Sequence, residues 1–252
     1  MLDAERLEIA CADAWPALVD RPLGQWRLRA ADGFTGRANS VLAVGDPGRP
    51  VPAALAAGCE FAHAHGIPPM AQAVVGGPVE AALSAAGWVP HVEHPAGHEV
   101  SVLVGPLVRG DKGTARVLTA PIGPWWELVA GGAAPSRAQR HVLAPPGTGF
   151  GVVTEGRATV GAVRATPTGE LLHLARLAVR PEHRRRGLAT ALVHAAGGWA
   201  LERGATRGVL QVAVGNTAAL SLYRGLGYVE HHRYRYWVPG PNVATAWKDS
   251  AV

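Results

Sequence analysis

The sequence predicts an α/β fold, with helices interleaved among the strands of a mixed sheet and arranged in two related halves. Three observations predict it. The apolar run Leu171–Val179 reads as a buried strand, and the helix after it carries Leu188, Leu192, Ala195, Ala196 and Trp199 at helical spacing. A second strand-like run, 209–214, passes through Gly215-Asn216-Thr217 into a helix over 218–225. The same order of strand, glycine turn, short helix and Gly-aromatic-Val occurs over 72–89 and again over 211–229.

In chain order, the first half begins with Asp3, Glu5 and Glu8, where a secretion signal would be basic and then apolar, so a cytoplasmic protein is expected. Trp26-Arg27-Leu28-Arg29 precedes a segment over 34–39 that fits a tight turn between two strands. A helix is expected around 53–65, approached through Gly45-Asp46-Pro47-Gly48-Arg49-Pro50. Then come a strand at 72–75, a helix at 79–86 and a strand at 99–104. In the second half, 124–129 and 136–142 read as short helices. Strands at 150–154 and 158–165 flank a turn at Glu155-Gly156-Arg157, and a last strand covers 233–238. The expected domains are 1–110 and 111–240, with a tail at 241–252.

Between the strand at Leu171–Val179 and its helix lies Arg184-Arg185-Arg186-Gly187-Leu188-Ala189. A helix N-terminus presents unpaired N–H groups and the positive end of the helix dipole, so a basic glycine turn there cradles a polyanion. Gly187 lets backbone approach phosphate where a side chain would intervene. The dinucleotide fingerprint needs three glycines, and the P-loop needs Gly-Lys-Ser/Thr; neither occurs here.

The segment does resemble the Arg/Gln-x-x-Gly-x-Gly/Ala loop of the GNAT (GCN5-related N-acetyltransferase) superfamily, which holds the pyrophosphate of acetyl-CoA. Leu177-Ala178-Val179-Arg180-Pro181 is similar to the Leu-Ala-Val-x-Pro that precedes it in those enzymes. Gly215-Asn216 through Tyr223 to Gly227-Tyr228 resembles their second signature, with Asn216 and Tyr223 at its functional positions. The resemblance covers the C-terminal half. It implies two GNAT-like mixed-sheet α/β sandwich halves, the C-terminal one complete, and acetyl-CoA as cofactor. The implied contacts are Leu177, Ala178, Val179, Arg184, Arg185, Arg186, Gly187, Leu188, Ala189, Thr190 and Asn216. The first half lacks the loop and has Leu83 in the place of Tyr223, so one cofactor per chain is expected. The stretch from Trp26 to Val41 also resembles actinobacterial tandem GNAT proteins.

Chemistry follows from what an amine needs. A primary ammonium with a pKa near ~10 must lose a proton before it attacks a thioester. By position in the family, His173 is the candidate base and Glu170 the second; a core histidine and a turn residue are the alternatives. The resemblance further implies oxyanion donors among the N–H groups of Leu177, Ala178 and Val179, and Tyr223 as the acid for the leaving thiolate. The expected function is acetyl-CoA-dependent N-acetyltransferase, with direct transfer in a ternary complex to a small-molecule or peptide amine. A protein-lysine (histone-like) acetyltransferase and a non-catalytic acyl-CoA-binding module are the alternatives.

Composition bounds the rest. The chain has 252 residues, a net charge of +5 and 48% hydrophobic residues, with no apolar run long enough to span a bilayer. Lys112 and Lys248 are its lysines, and this Arg-for-Lys bias suits a GC-rich bacterial genome and accounts for part of the basic balance. Charge alone therefore gives little support to nucleic-acid binding. Arg233-Tyr234-Arg235-Tyr236-Trp237 would give a strand one basic and one aromatic face. Cys11 and Cys59 sit in helical, apolar contexts and read as buried thiols. His91, His94 and His98 cluster, but Pro95 and Gly97 break any helix that would align them, and His63 and His65 point different ways, so no metal is expected. A homodimer stays open.

Overall fold

The computed structural model describes residues 3–110, 113–241 and 243. Contacts divide the chain into two compact units: 1–102 with 213–216 and 231–252, and 103–212 with 217–230.

In the first unit, α1 (Ala4–Asp13) is capped by Asp3, whose side chain accepts from the Arg6 N–H. Then follow β1 (Val19–Leu23), β2 (Trp26–Ala30), β3 (Val41–Leu42), α2 (Val51–Ala64), β4 (Ala71–Val74), α3 (Pro78–Ala85), β5 (Trp88–Pro90) and the first residues of β6 (Glu99–Pro106). The second unit adds β7 (Ala115–Leu118), α4 (Gly123–Ala130), α5 (Arg137–Leu143), β8 (Gly149–Glu155), β9 (Ala158–Thr168), β10 (Leu171–Val179), α6 (Leu188–Leu201), β11 (Arg207–Ala213) and α7 (Thr217–Gly225). β12 (Val229–Pro239) ends the described elements.

β12 corrects the expected domain boundaries. It runs antiparallel to β4, with Tyr234 opposite Val74 and Trp237 opposite Ala71, and β5 pairs along its far end. Residues 231–239 therefore belong to the first unit, although the sequence reading put them with the second half. Strand partners are chosen by tertiary pairing, which sequence order does not record. Of the expected tail at 241–252, only 241 and 243 are described.

The first unit's sheet runs β1-β2-β3-β4-β12, with β3 and β4 parallel and β1 and β2 a tight antiparallel hairpin. Its core gathers Trp26, Leu55, Leu83, Trp88 and Trp237. Cys11 and Cys59 are buried free thiols on α1 and α2, as expected. Along β12, Arg233 and Arg235 point away from buried Tyr234 and Tyr236. Glu99 pairs with both arginines at 2.9 and 2.8 Å, and Glu80 pairs with Arg235 at 2.8 Å. The alternating stripe is thus a neutralised basic face over an aromatic core.

In the second unit the order is β11-β10-β9-β8-β7, with β10 parallel to β11 and antiparallel to β9. Leu172, Leu192, Leu210, Tyr223 and Tyr228 share its core. Tyr228 lies over Gly208, where an added Cβ would meet its hydroxyl at 2.1 Å, so glycine is required at that point of β11. A capping box starts α5: Ser136 Oγ accepts from the Gln139 N–H, and Gln139 Oε1 accepts from the Ser136 N–H. No helix among the described residues is long and apolar enough to cross a membrane.

Candidate acyl-transfer site

The site grows from the way β10 leaves its neighbour. β10 and β11 pair only over Leu171 to Leu174 and Arg207 to Leu210. On its other edge, the register against β9 shifts between Ala175 and Ala178. Arg176, inside that shift, has φ 56°, a left-handed conformation that is uncommon for a residue with a Cβ. A bulge of this kind bends its strand and breaks the hydrogen-bond ladder. The end of β10, Leu177-Ala178-Val179, is half-buried, whereas Leu171 to Ala175 are sealed in the core. The edge that faced β11 is thereby released from strand pairing beyond Leu174, while on the other edge Ala178 and Val179 pair again with Ala162 and Gly161 of β9.

The splayed end leads directly into the basic turn. Pro181–His183 form one turn of 3-10 helix, and Arg184 to Gly187 are exposed. Gly187 is the N-cap of α6 at φ 75°, and no side chain caps the helix. A Cβ on Gly187 would meet nothing within 4 Å, so the turn faces open space. Leu188 anchors the first helical turn in the core, and Ala189 and Thr190 are half-buried beside it. First-turn N–H groups and the positive helix end therefore face outward together, which is the arrangement that accepts a diphosphate.

Tyr223 projects from α7 and is 5% exposed. Its ring meets Tyr228 edge-on at 5.8 Å. Burial, with a smaller contribution from Tyr228, raises its pKa well above the ordinary tyrosine value, so the hydroxyl stays protonated at neutral pH. Asn216, exposed, immediately precedes α7, and its N–H donates to the Ala213 carbonyl at 2.9 Å.

The two candidate bases lie elsewhere. His173 is 0% exposed and sits on the fully paired part of β10, with Nδ1 3.5 Å from Nη1 of buried Arg164. Six residues separate it from Val179, roughly 20 Å of extended strand. Glu170 is exposed at the opposite end of β10, where its carbonyl accepts from the Thr206 N–H at 2.8 Å. The structure does not bring either to the splayed end. What the sequence reading missed is Glu127 on α4, 3.6 Å from Arg180, the residue that follows Val179. Arg180 Nε also donates to the Thr159 carbonyl at 3.0 Å. No local pattern marks Glu127, because a tertiary contact sets its position. Among the described residues, no group of three His, Cys, Asp or Glu side chains could hold a metal ion.

Known proteins resemble this chain, several of them over most of its length. A family model described as "Probable histone acetyltransferase Rv0428c C-terminal" matches residues 3–237. N-acetyltransferase 8B of Rattus norvegicus is 36% identical over 101 residues, 38% of this chain and 46% of that protein. The uncharacterized N-acetyltransferase YobR of Bacillus subtilis is 26% identical over 252 residues, 93% of this chain and 99% of that protein. The chain spans about half the length of the rat protein and of N-alpha-acetyltransferase 30 of Schizosaccharomyces pombe, at 46% and 48%. A GCN5-related N-acetyltransferase from Kribbella flavida superposes with a TM-score of 0.70 at 18% identity, covering 96% of this chain and 98% of its own. A tandem GNAT protein from the clavulanic acid biosynthesis pathway gives 0.63 at 17% identity, covering 92% and 86%. At these identities the structural likeness is one of fold.

Proposed function

The chain belongs to the acetyltransferase family described as Rv0428c C-terminal and has the GNAT fold, and from that premise we propose that its second unit transfers acetyl from acetyl-CoA directly to an amine. The observation that carries this reading is the splayed, bulged end of β10 running straight into an uncapped helix N-terminus at Gly187. A thioester carbonyl placed at the splayed end would meet the N–H groups of Leu177, Ala178 and Val179, which can stabilise a tetrahedral oxyanion. The turn from Arg184 to Thr190 would hold the diphosphate, and Asn216 is given its cofactor contact by the family resemblance.

Proton balance assigns the remaining roles. The acceptor ammonium gives its first proton to water at the open end of β10, since His173 is sealed and Glu170 is remote. Nitrogen then attacks the carbonyl, and the C–S bond breaks. Tyr223 donates its hydroxyl proton to the departing thiolate and is reprotonated by the amide nitrogen, so the reaction releases one net proton.

The test is an acceptor screen with acetyl-CoA, reading free thiol. Thiol release with small primary amines supports the reading; tight CoA binding with no release for any amine overturns it and leaves a binding module. The description of the matched family favours a second acceptor class, the lysine of a basic protein tail. Lysine peptides in the same screen decide between the two.

A further inference from the structure

Three consecutive arginines precede Gly187, and the structure gives each a different environment. Arg184 Nε donates to the carbonyl of Val179, the end of its own strand, at 3.2 Å. Arg186 meets Glu155 at the end of β8 through both terminal nitrogens, Nη2 to Oε1 at 2.9 Å and Nη1 to Oε2 at 3.2 Å. Arg185, between them, is held at φ 60° and is exposed. Among the described residues no hydrogen bond or ion pair holds its guanidinium.

A two-pronged arginine–carboxylate contact fixes the guanidinium plane and cancels most of its charge. Arg186 is therefore a weak source of attraction for a polyanion. Glu155 by itself would repel one. A carboxylate placed against a phosphate-binding turn is an electrostatic liability unless it shapes the turn. It is well placed to do so, because β8 pairs with β9 from Gly149 to Glu155, across a register shift between Val153 and Thr154, and Glu155 stands opposite Ala158 where the hairpin turns.

We infer that Glu155 and Arg186 form a clamp that sets the conformation of the turn, while Arg185, free of any partner among the described residues, and Arg184, held only by a neutral carbonyl, present the uncompensated charge to the cofactor phosphates. This rests on the reading of the turn as the CoA site. Glu155 and Arg186 are positioning residues in this scheme, and Arg184 and Arg185 are the binding ones.

The sign of one substitution separates positioning from electrostatics. Glu155→Gln makes the turn more positive, so charge alone predicts tighter CoA binding; loss of the clamp predicts weaker binding. Calorimetric titration of the full chain with CoA should show Glu155→Gln and Arg186→Gln each weakened about fivefold, the scale of a well-formed but solvent-exposed pair. The exchange variant carrying Glu155→Arg and Arg186→Glu should return to within about twofold of the unaltered chain. Arg185→Gln should weaken binding by a similar factor and also flatten the dependence of Kd on salt, since it removes an exposed charge contact. Glu155→Gln binding CoA as tightly as the unaltered chain, or more tightly, overturns the clamp. So does an exchange variant that stays weak while its thermal unfolding matches the unaltered chain. If the unaltered chain does not bind CoA, the reading of the turn itself falls, a distinct outcome from the first two.

Discussion

Both units lead a strand through a glycine turn into a helix, and they equip that turn with opposite chemistry. In the second unit the turn carries Arg184 to Arg186 and opens on the uncapped N-terminus of α6. In the first, the turn from Gly45 to Pro50 uses its polar groups internally. The Asp46 N–H donates to Gln25 Oε1 at 2.6 Å, the Gly48 N–H to Asp46 Oδ1 at 2.8 Å, and Trp26 Nε1 to the Gly45 carbonyl at 3.0 Å. Pro50 as N-cap and Pro52 in the first turn of α2 remove two N–H donors, and Asp46 adds the wrong charge for a polyanion. Left-handed glycines do not distinguish the two, since Gly45 and Gly48 have φ 72° and 69° and Gly187 has 75°. What differs is where the N–H groups go. Anion binding belongs to a turn whose donors are left without partners inside the protein.

The helices that follow repeat the contrast. Leu83 on α3 is wholly buried, and Tyr223 on α7 is nearly so, but only the tyrosine can give a proton. Tyr223→Phe should lower turnover about a hundredfold, a typical acid-catalysis loss, with CoA affinity nearly unchanged. Leu83→Tyr should add no activity. Thiol release measures the first and CoA titration the second; full turnover in the phenylalanine variant would remove Tyr223 from the mechanism. Because burial raises the Tyr223 pKa, its loss of the proton should limit activity only above the ordinary tyrosine range near ~10, so no tyrosine-dependent fall is expected between pH 7 and 9.

The first unit should answer to structural substitutions instead. Asn39 is buried within the turn that ends β2, accepting from the Ala31 and Gly33 N–H groups and donating to the Phe34 and Thr35 carbonyls. It holds Thr35 at φ 64° and ψ 141°, a strained conformation for a residue with a Cβ. Asn39→Ala should cost about 2 kcal/mol of stability, from several unmet buried polar groups, without changing CoA affinity. Denaturant unfolding beside a CoA titration checks both halves of that statement.

Gly187→Ala should weaken CoA binding by about fivefold, because the left-handed φ costs an alanine roughly 1 kcal/mol. The matching change, Gly48→Ala, should leave CoA binding untouched, as read by the same titration. The smallest effect belongs to Glu99. Arg235 first and Arg233 second hold its carboxyl below the ordinary carboxylate range, against the opposing effect of burial. A depressed carboxyl stabilises the fold above its unfolded pKa, and the gain disappears as pH falls through the folded one. Thermal midpoints of Glu99→Gln should therefore sit below those of the unaltered chain at pH 6 and converge with them toward pH 3.

Much of the second unit was legible because its signals are local. The central strand was read with the bounds Leu171–Val179 that the structure shows, and its helix does begin at Leu188. β1 and β7 were not read, and of α1 only the helical context of Cys11 was. β1 is Val-Asp-Arg-Pro-Leu, whose proline and adjacent charges suit an edge strand but give no period-two signal. β7 spans four residues, too few for periodicity to register. Within the candidate site, the glycine turn and Tyr223 were proposed from spacing, whereas the burial of His173 was not legible. Its run of apolar neighbours on β10 suits a sealed strand as well as a catalytic one.

The sequence by itself determined the order of strands and helices from α4 to α7 in the second unit, the basic turn, and the absence of a matching turn in the first. Each is fixed by residues within a dozen positions of one another, and spacing records them. Tertiary structure alone decided that β12 completes the first unit, that His173 is sealed and that Glu127 stands at the end of β10. It also decided that Glu155 engages Arg186 and leaves Arg185 open. The physical reason is the same in each case. Burial and hydrogen-bond partnership depend on groups tens to hundreds of residues away, brought together only when the sheets close.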